Sequence, residues 1–479
     1  MNLTKESKIV WLMILAYFIF FSLFTSFRHY NFQTQAWDMA IFSQTLWNTI
    51  HGKIMFNSLE EIKGPYNHLA VHMRPFMFLL VPGYALFPSP YFLLIIQTLG
   101  LALGAWPIYL LAKKILPPGN WPLILTAGYL LYPPLHWVNT FDFHEIAFFI
   151  PLFLTALYFL ETKRWGWMGL FLALAASTKE DAVLIVLFSG LYLILKPATD
   201  GWRSTQRKLG VAIILLSTFY FLLATKIIMP ALGGGLLRLD RYAALGSTPS
   251  EIIGNLIRHP GLFVQTIFTQ NKLEYLFWIF LPVSFLPIFS WQSLALIIPG
   301  ILENTLTGFK SQFAGLYQYD AVIIGGIFIG AIYGLKKVLI RFPAQKILAE
   351  RILIGAIALG FFFRSPINPL TFPTAIFKSN PQWKTFRTMT RLVPPAASVA
   401  AQTNLVPHLA NREQIYLLGR EPFPVDIALI DGADLTGFES ETNFQTYADN
   451  YIRSGKYDFQ TIEDRYFVIY KKELQLNYK

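Results

Sequence analysis

The chain has 479 residues, of which 54% are hydrophobic and only 14% charged, with a formal net charge of +11. A soluble domain carries about 25% charge, so this composition excludes a string of soluble domains over most of the length. There is no cysteine, which excludes disulfides, thiolate nucleophiles and thiolate metal sites. From Arg364 onward 13 basic residues face 12 acids, so nearly all the positive excess lies upstream. There it orients membrane spans, and nucleic-acid binding is not expected.

The first apolar run, about 9–27, follows Lys5 and Lys8 and lacks a small-residue cleavage site, so it reads as a retained first helix. A polar stretch, 28–73, is the first loop. The next run, 74–88, contains Pro75, Pro82 and Pro88 and is short for a span, which needs about 20 residues. It reads as interfacial or re-entrant. Further runs lie at about 91–112, 121–138, 146–160, 165–178, 182–196, 209–229, 275–290, 291–302, 321–339 and 349–363. Together they predict a polytopic α-helical bundle of about 11 transmembrane helices over 1–363. With the N-terminus in the cytoplasm, Lys113–Lys114, Lys163–Arg164, the Arg203/Arg207/Lys208 loop and the Lys336/Lys337/Arg341 loop all fall inside. That is the positive-inside arrangement. Residues 364–479 then form an extracytoplasmic soluble α/β domain. Its strands are expected near 415–419, 425–432 and 465–472, with a helix and a loop over 444–459.

The same topology gathers the unusual polar residues on the outer side. Asp38 and the pair His68 and His72, with Arg74, lie in or beside the first loop. Asp142, His144 and Glu145 lie in FDFHE, and Lys179, Glu180 and Asp181 form KED. Glu303 and Asn304, then Gln318 and Asp320, lie further on. Ionisable groups at membrane depth are costly and usually line a cavity. Asp38 either caps the helix starting near Met39 or takes a proton from an acceptor hydroxyl. His68 and His72, four apart, share a face if helical. They suit a phosphate or sugar, or, with Asp38 or Glu145, a divalent cation, or else they are belt or packing histidines; no motif requires a cofactor. Lys179 either pairs with its acidic neighbours or, with Arg74, neutralises a phosphate. A long outer loop, 230–274, leads into an amphipathic run, 259–277, and its Arg238, Arg241, Arg258 and Lys272 either meet lipid phosphates or simply anchor a surface helix.

The segments WDMAIFSQTLWNTIHG (37–52), NHLAVHMRP (67–75), FPSPYFLLIIQTLGLALGAWPIYLLAKK (87–114), YPPLHWVNTFDFHEIAF (132–148), STKEDAVLIVLFSGLY (177–192) and VAAQTNLVPHLANREQIYL (399–417) together resemble the DUF2079 family of predicted membrane proteins, within the GT-C glycosyltransferase superfamily. The resemblance implies a GT-C-like bundle in the cell membrane, a polyprenyl-phosphate-linked sugar donor, and an essential acid in the first outer loop, here Asp38. It implies inverting transfer to a glycan, lipid or protein acceptor. The pattern also carries a second acid where Ser43 stands and a histidine where Gln318 stands. In the tail, Asn404, His408 and Arg412 either position an acceptor or dock the tail on the bundle. Two rival readings are a transporter or flippase of a lipid-linked or anionic substrate, and a non-catalytic membrane scaffold or sensor.

Overall fold

A computed structural model describes residues 4–60, 67–197, 203–236, 238–378, 380–422 and 424–476; part of the first loop, 61–66, lies outside them. The helix Lys5–Tyr30 starts where the Thr4 hydroxyl accepts from the Ser7 amide at 3.2 Å. Its 26 residues rise about 39 Å, more than the ~30 Å of bilayer hydrocarbon. Pro90–Ile115, Arg203–Ala231 and Gln318–Arg341 are also long and apolar enough to cross, making four among the described residues. Trp165–Ala176 and Ala182–Leu195 are apolar but shorter. Helix length therefore does not give the eleven crossings expected from hydropathy. In two regions the reason is proline, which ends helices. Pro133 and Pro134 separate Trp121–Leu130 from Pro133–Thr140. Beyond Gln270–Phe280, prolines 282, 287 and 299 leave only short turns and the helix Ile298–Thr305. Ser284 and Phe285 there are left-handed, with φ 52° and 55°. The 74–88 segment is a 3-10 turn, Pro75–Leu79, and the helix Val81–Leu86, too short to cross.

Broken backbone inside a bundle needs close cover by protein. The Ala321–Arg341 helix provides it. Gly326, Gly330 and Gly334 recur every fourth residue, on one helix face. A methyl at Gly326 or Gly334 would overlap the carbonyl oxygen of Leu296 or Leu286, and one at Gly330 would press on Pro287. Small residues at this spacing let a helix touch another segment's main chain.

Two ends of the bundle can be told apart. At one, Lys113 Nζ meets Glu6 Oε2 at 3.0 Å and Lys346 Nζ donates to the Pro118 carbonyl at 3.3 Å. At the other, Arg387 donates to the Tyr30 carbonyl at 3.3 Å and Trp137 Nε1 to the Arg364 carbonyl at 2.8 Å. The C-terminal sheet sits at this second end. Its order is β2-β1-β3-β5-β4, from β1 (Val399–Ala401), β2 (Ile415–Leu417), β3 (Ile427–Asp431), β4 (Tyr457–Ile462) and β5 (Tyr466–Lys471). β1 runs parallel to β2 and β3, while β5 is antiparallel to β3 and β4. All five residues of β3 are buried, as a strand covered on both faces requires. One face packs on Phe444 and Tyr451 of the helix Glu441–Arg453. The other packs on Phe386 and Met389 of the helix Pro381–Leu392 and on Phe32, Ala36, Ile41 and Leu59 of the first loop. The predicted loop near 457–459 is instead the start of β4. Its side chains at 458 and 459 are exposed at a sheet edge, so no buried alternation announces it.

The first loop is also tied to the sheet through main chain. The Ser58 hydroxyl donates to the Ile415 carbonyl at 2.6 Å and accepts from its amide at 2.9 Å. Edge strand β2 thus has its open groups met by a side chain 357 residues upstream.

Candidate functional site

Asp38 lies in a wide helical turn, Ala36–Ala40, ahead of the helix Ile41–Ile50, and makes no capping bond. Its Oδ1 lies 2.9 Å from Nε2 of His144. The aspartate side chain is 25% exposed and the histidine 3%, so one face of the pair is open and the other sealed. The His144 amide donates to Gln97 Oε1 at 2.7 Å, and its Nδ1 faces the Phe141 carbonyl at 3.2 Å. Gln97 Nε2 also donates to the Asp142 carbonyl at 2.9 Å. Asp142 itself is left-handed, with φ 44°, a conformation that costs a non-glycine residue energy and is held by its surroundings. Its Oδ2 accepts from the Gln35 amide at 2.7 Å, and Arg28 stands 3.9 Å from Oδ1.

Burial pushes the Asp142 carboxyl up to about 6; Arg28 opposes this and Asp38 adds to it. The folded value exceeds the unfolded one, so the stabilisation is complete below about pH 4 and is lost as pH rises through about 6. The ionised group therefore costs about 3 kcal/mol at neutral pH. Asp142→Asn, which keeps an acceptor for Gln35, has no such dependence. Thermal melting is expected to show the variant gaining on the wild type by about 3 kcal/mol between about pH 4 and pH 7.5. A pH-independent difference would mean that Asp142 does not titrate in this range.

Phe42 joins this pair to the rest. Its ring lies 5.7 Å from His144, 5.5 Å from His68 and 5.0 Å from the Arg74 guanidinium. Arg74 Nη1 donates to Glu145 Oε2 at 2.9 Å, both side chains buried. His68 Nδ1 meets Glu60 Oε2 at 2.8 Å, and Asn57 donates to the same oxygen at 2.7 Å. His72 Nδ1 meets Glu180 Oε1 at 2.7 Å, and the Met73 amide donates to Oε2 at 2.9 Å. Burial holds His72 down at about 4, with Glu180 opposing and Arg74 and Lys179 assisting. Burial opposes ionisation of Glu180, but His72, Lys179 and Arg74 outweigh it and hold the carboxyl at about 2. The Phe76 amide, bonded to the Ser177 carbonyl at 2.9 Å, brings KED beside Arg74. Lys179 is ion-paired with Asp181.

Several expectations change. His68 and His72 do not share a helix face: the helix covers only His68–Val71, and His72 is extended with φ −142°. His68, His72 and Glu145 each take a different partner. Among the described residues no group of three or more histidines or carboxylates could hold a metal, so the cation site does not fit. Asn304 Nδ2 donates to the Tyr275 hydroxyl at 2.9 Å and Asp320 Oδ1 at 3.3 Å, a buried cluster of its own. Gln318 has a buried side-chain oxygen without a partner, and the ring of its neighbour Tyr317 lies 4.7 Å from Phe141. Lys272 is buried on the Thr266 carbonyl at 2.8 Å and Arg241 lies over Phe309 at 4.4 Å, so neither faces lipid phosphate. Arg412 donates to the Leu409 and Ala397 carbonyls at 2.7 and 2.8 Å, and His408 stacks on His29 at 4.2 Å. The His408 stack docks the tail on the first helix, while Arg412 braces the tail internally. Asn404 Oδ1 is buried without a partner.

Glu60, Gln97 and Thr403 escaped the sequence reading. Thr403 Oγ1 accepts from the Ala36 amide at 3.2 Å and donates to Gln35 Oε1 at 3.0 Å, so the tail holds the Asp38 turn directly. Asn411 of the tail accepts from Ser43 at 3.2 Å and Tyr84 at 2.8 Å. Ser43, standing where the resemblance expects an acid, thus bonds the tail. Buried His68 Nε2 and Arg74 Nε have no partner. Such buried orphans call for a polar ligand or water.

No curated protein matches this sequence. Among solved structures, ArnT from Cupriavidus metallidurans in the apo state aligns with TM-score 0.50 and 11% identity, over 95% of this chain and 97% of that one. The same protein bound to undecaprenyl phosphate gives 0.50 and 10% over the same shares. The archaeal oligosaccharyltransferase AglB from Archaeoglobus fulgidus, in complex with an inhibitory peptide and a dolichol-phosphate, gives 0.47 and 13% over 92% and 68%. At such identities the likeness to ArnT is one of fold. The profile described as a predicted membrane protein, DUF2079, matches residues 28–468. By that match the chain belongs to the DUF2079 family of predicted membrane proteins, carried on the fold of ArnT.

Proposed function

We propose that this protein is a membrane glycosyltransferase that moves a sugar from a polyprenyl-phosphate donor to an acceptor hydroxyl, with inversion. The observation that carries the reading is the Asp38–His144 pair: a partly exposed carboxylate fixed at 2.9 Å on a sealed imidazole, with the Arg74 guanidinium across the shared Phe42 ring. Asp38 takes the acceptor's proton as the acceptor oxygen bonds to the sugar's anomeric carbon. The bond from that carbon to the phosphate oxygen breaks, and polyprenyl phosphate leaves with the bonding pair. Its charge is met by Arg74, by Lys179 once it exchanges Asp181 for phosphate, or by His68 Nε2. The fold of ArnT, one structure of which is bound to undecaprenyl phosphate, supports this donor class.

In this reading the end bearing the sheet faces outward from the cell membrane and the N-terminus is cytoplasmic. The basic clusters at Lys113, Lys163, Arg203 and Lys336 mark the inner side. Residues 1–363 form the bundle, its short and broken helices making up about eleven crossings, and 364–479 form the outer domain.

The test incubates the full chain in membranes with a panel of radiolabelled polyprenyl-phosphate sugars. Label is expected to pass to an acceptor fraction, with free polyprenyl phosphate released in step. Donors that stay intact but cross between leaflets faster would instead favour the flippase reading.

A further inference from the structure

At the end of the bundle away from Asp38, a cavity of about 490 Å³ opens between the Ala321–Arg341 helix, the Lys346–Arg364 helix and the left-handed turn at Ser284. It lies toward the far end of the Ala321–Arg341 helix from Tyr317 and Phe141. Its walls are apolar: Leu286, Val338, Ala349 and Leu353. Around the opening, Phe289, Phe342 and Ile352 are each more than half exposed, which in a membrane protein places the opening toward lipid. Two cations share the lining, Lys337 and Arg341. Neither pairs with a carboxylate among the described residues. Ser284 also lines it, with a buried hydroxyl that has no partner. An apolar crevice open to lipid, with two cations that have no carboxylate partner among the described residues and an unused hydroxyl, has the parts of an acyl-chain slot under an anionic head.

We propose that this cavity is a binding site for an anionic phospholipid. One acyl chain fills the space between Leu286, Val338, Ala349 and Leu353, and the phosphate rests on Lys337 and Arg341. The alternative, a soluble anion on the two cations, would leave the apolar volume without a purpose. The site is separate from the donor site and does not depend on the transferase reading.

The experiment reconstitutes the full chain in phosphatidylcholine vesicles containing a minor fraction of phosphatidylglycerol with a photoactivatable acyl chain. A parallel sample carries the same label on phosphatidylcholine. Label is expected in peptides spanning 335–353, more from phosphatidylglycerol than from phosphatidylcholine. Each cation is worth about fivefold in lipid preference, so Lys337→Gln with Arg341→Gln should erase the difference, with circular dichroism unchanged. Ala349→Trp, which fills the slot, should abolish labelling by both probes. Equal labelling by the two lipids in the wild type, label confined to other peptides, or displacement by inorganic phosphate would each overturn the proposal. If Ala349→Trp does not fold, the two surface variants still decide it.

Discussion

Asp38→Asn is expected to lower sugar transfer by about two to four orders of magnitude, the usual worth of a general base, and to leave the protein folded. Asparagine has the shape of aspartate and keeps an oxygen for His144 Nε2. The side chain is a quarter exposed, so the exchange buries no new polar group and melting should move little. Basicity alone is removed. Acceptor binding does not need the proton to move, so kcat falls and KM stays near its wild-type value. Initial rates of polyprenyl phosphate release, set beside a melting curve, read both parts. Wild-type rates in a folded Asp38→Asn protein would take Asp38 out of the chemistry.

Arg74→Ala has the largest expected effect on stability. Glu145 has no exposed side-chain surface and its Oε2 takes a 2.9 Å bond from Arg74. Breaking a buried pair by removing one partner costs about 3–5 kcal/mol, because the surviving charge stays in a poor solvent. Removing both is far cheaper, since the desolvation cost leaves with the pair. The melting temperature of the purified protein should therefore fall sharply for Arg74→Ala and recover most of the loss in Arg74→Ala with Glu145→Ala. The coupling from that cycle measures the pair. A single variant that melts like the wild type would mean that water reaches Glu145.

The features that could be read without a structure are the ones that repeat or stand next to one another in the chain. Apolar runs announced the bundle, and β3 and β5 announced themselves by composition. Asp38, His144 and Arg74 were singled out because charge is out of place in such a chain. Their partners were not readable. Glu60 meets His68 only because the first loop folds back on itself, and Gln97 reaches the 141–144 turn from another helix. The four-residue spacing of His68 and His72 misled because the helix there is a single turn. Thr403 stands 368 residues from Gln35, and no local pattern reaches that far. β1, three residues long, lies below the length at which alternation can be seen.

The hook between Ser58 and Ile415 has a consequence for biosynthesis. The loop that carries Asp38 is made well before its main-chain and threonine anchors, which lie 357 and 368 residues downstream. At about 5–20 residues per second, the 357 residues between hook and strand take about 20–70 seconds to translate. Until then the Asp38 turn lacks Thr403 and the loop lacks its strand. A chain stalled before these anchors can insert its helices but holds the Asp38 turn through His144 and Asp142 alone, without Thr403 and β2.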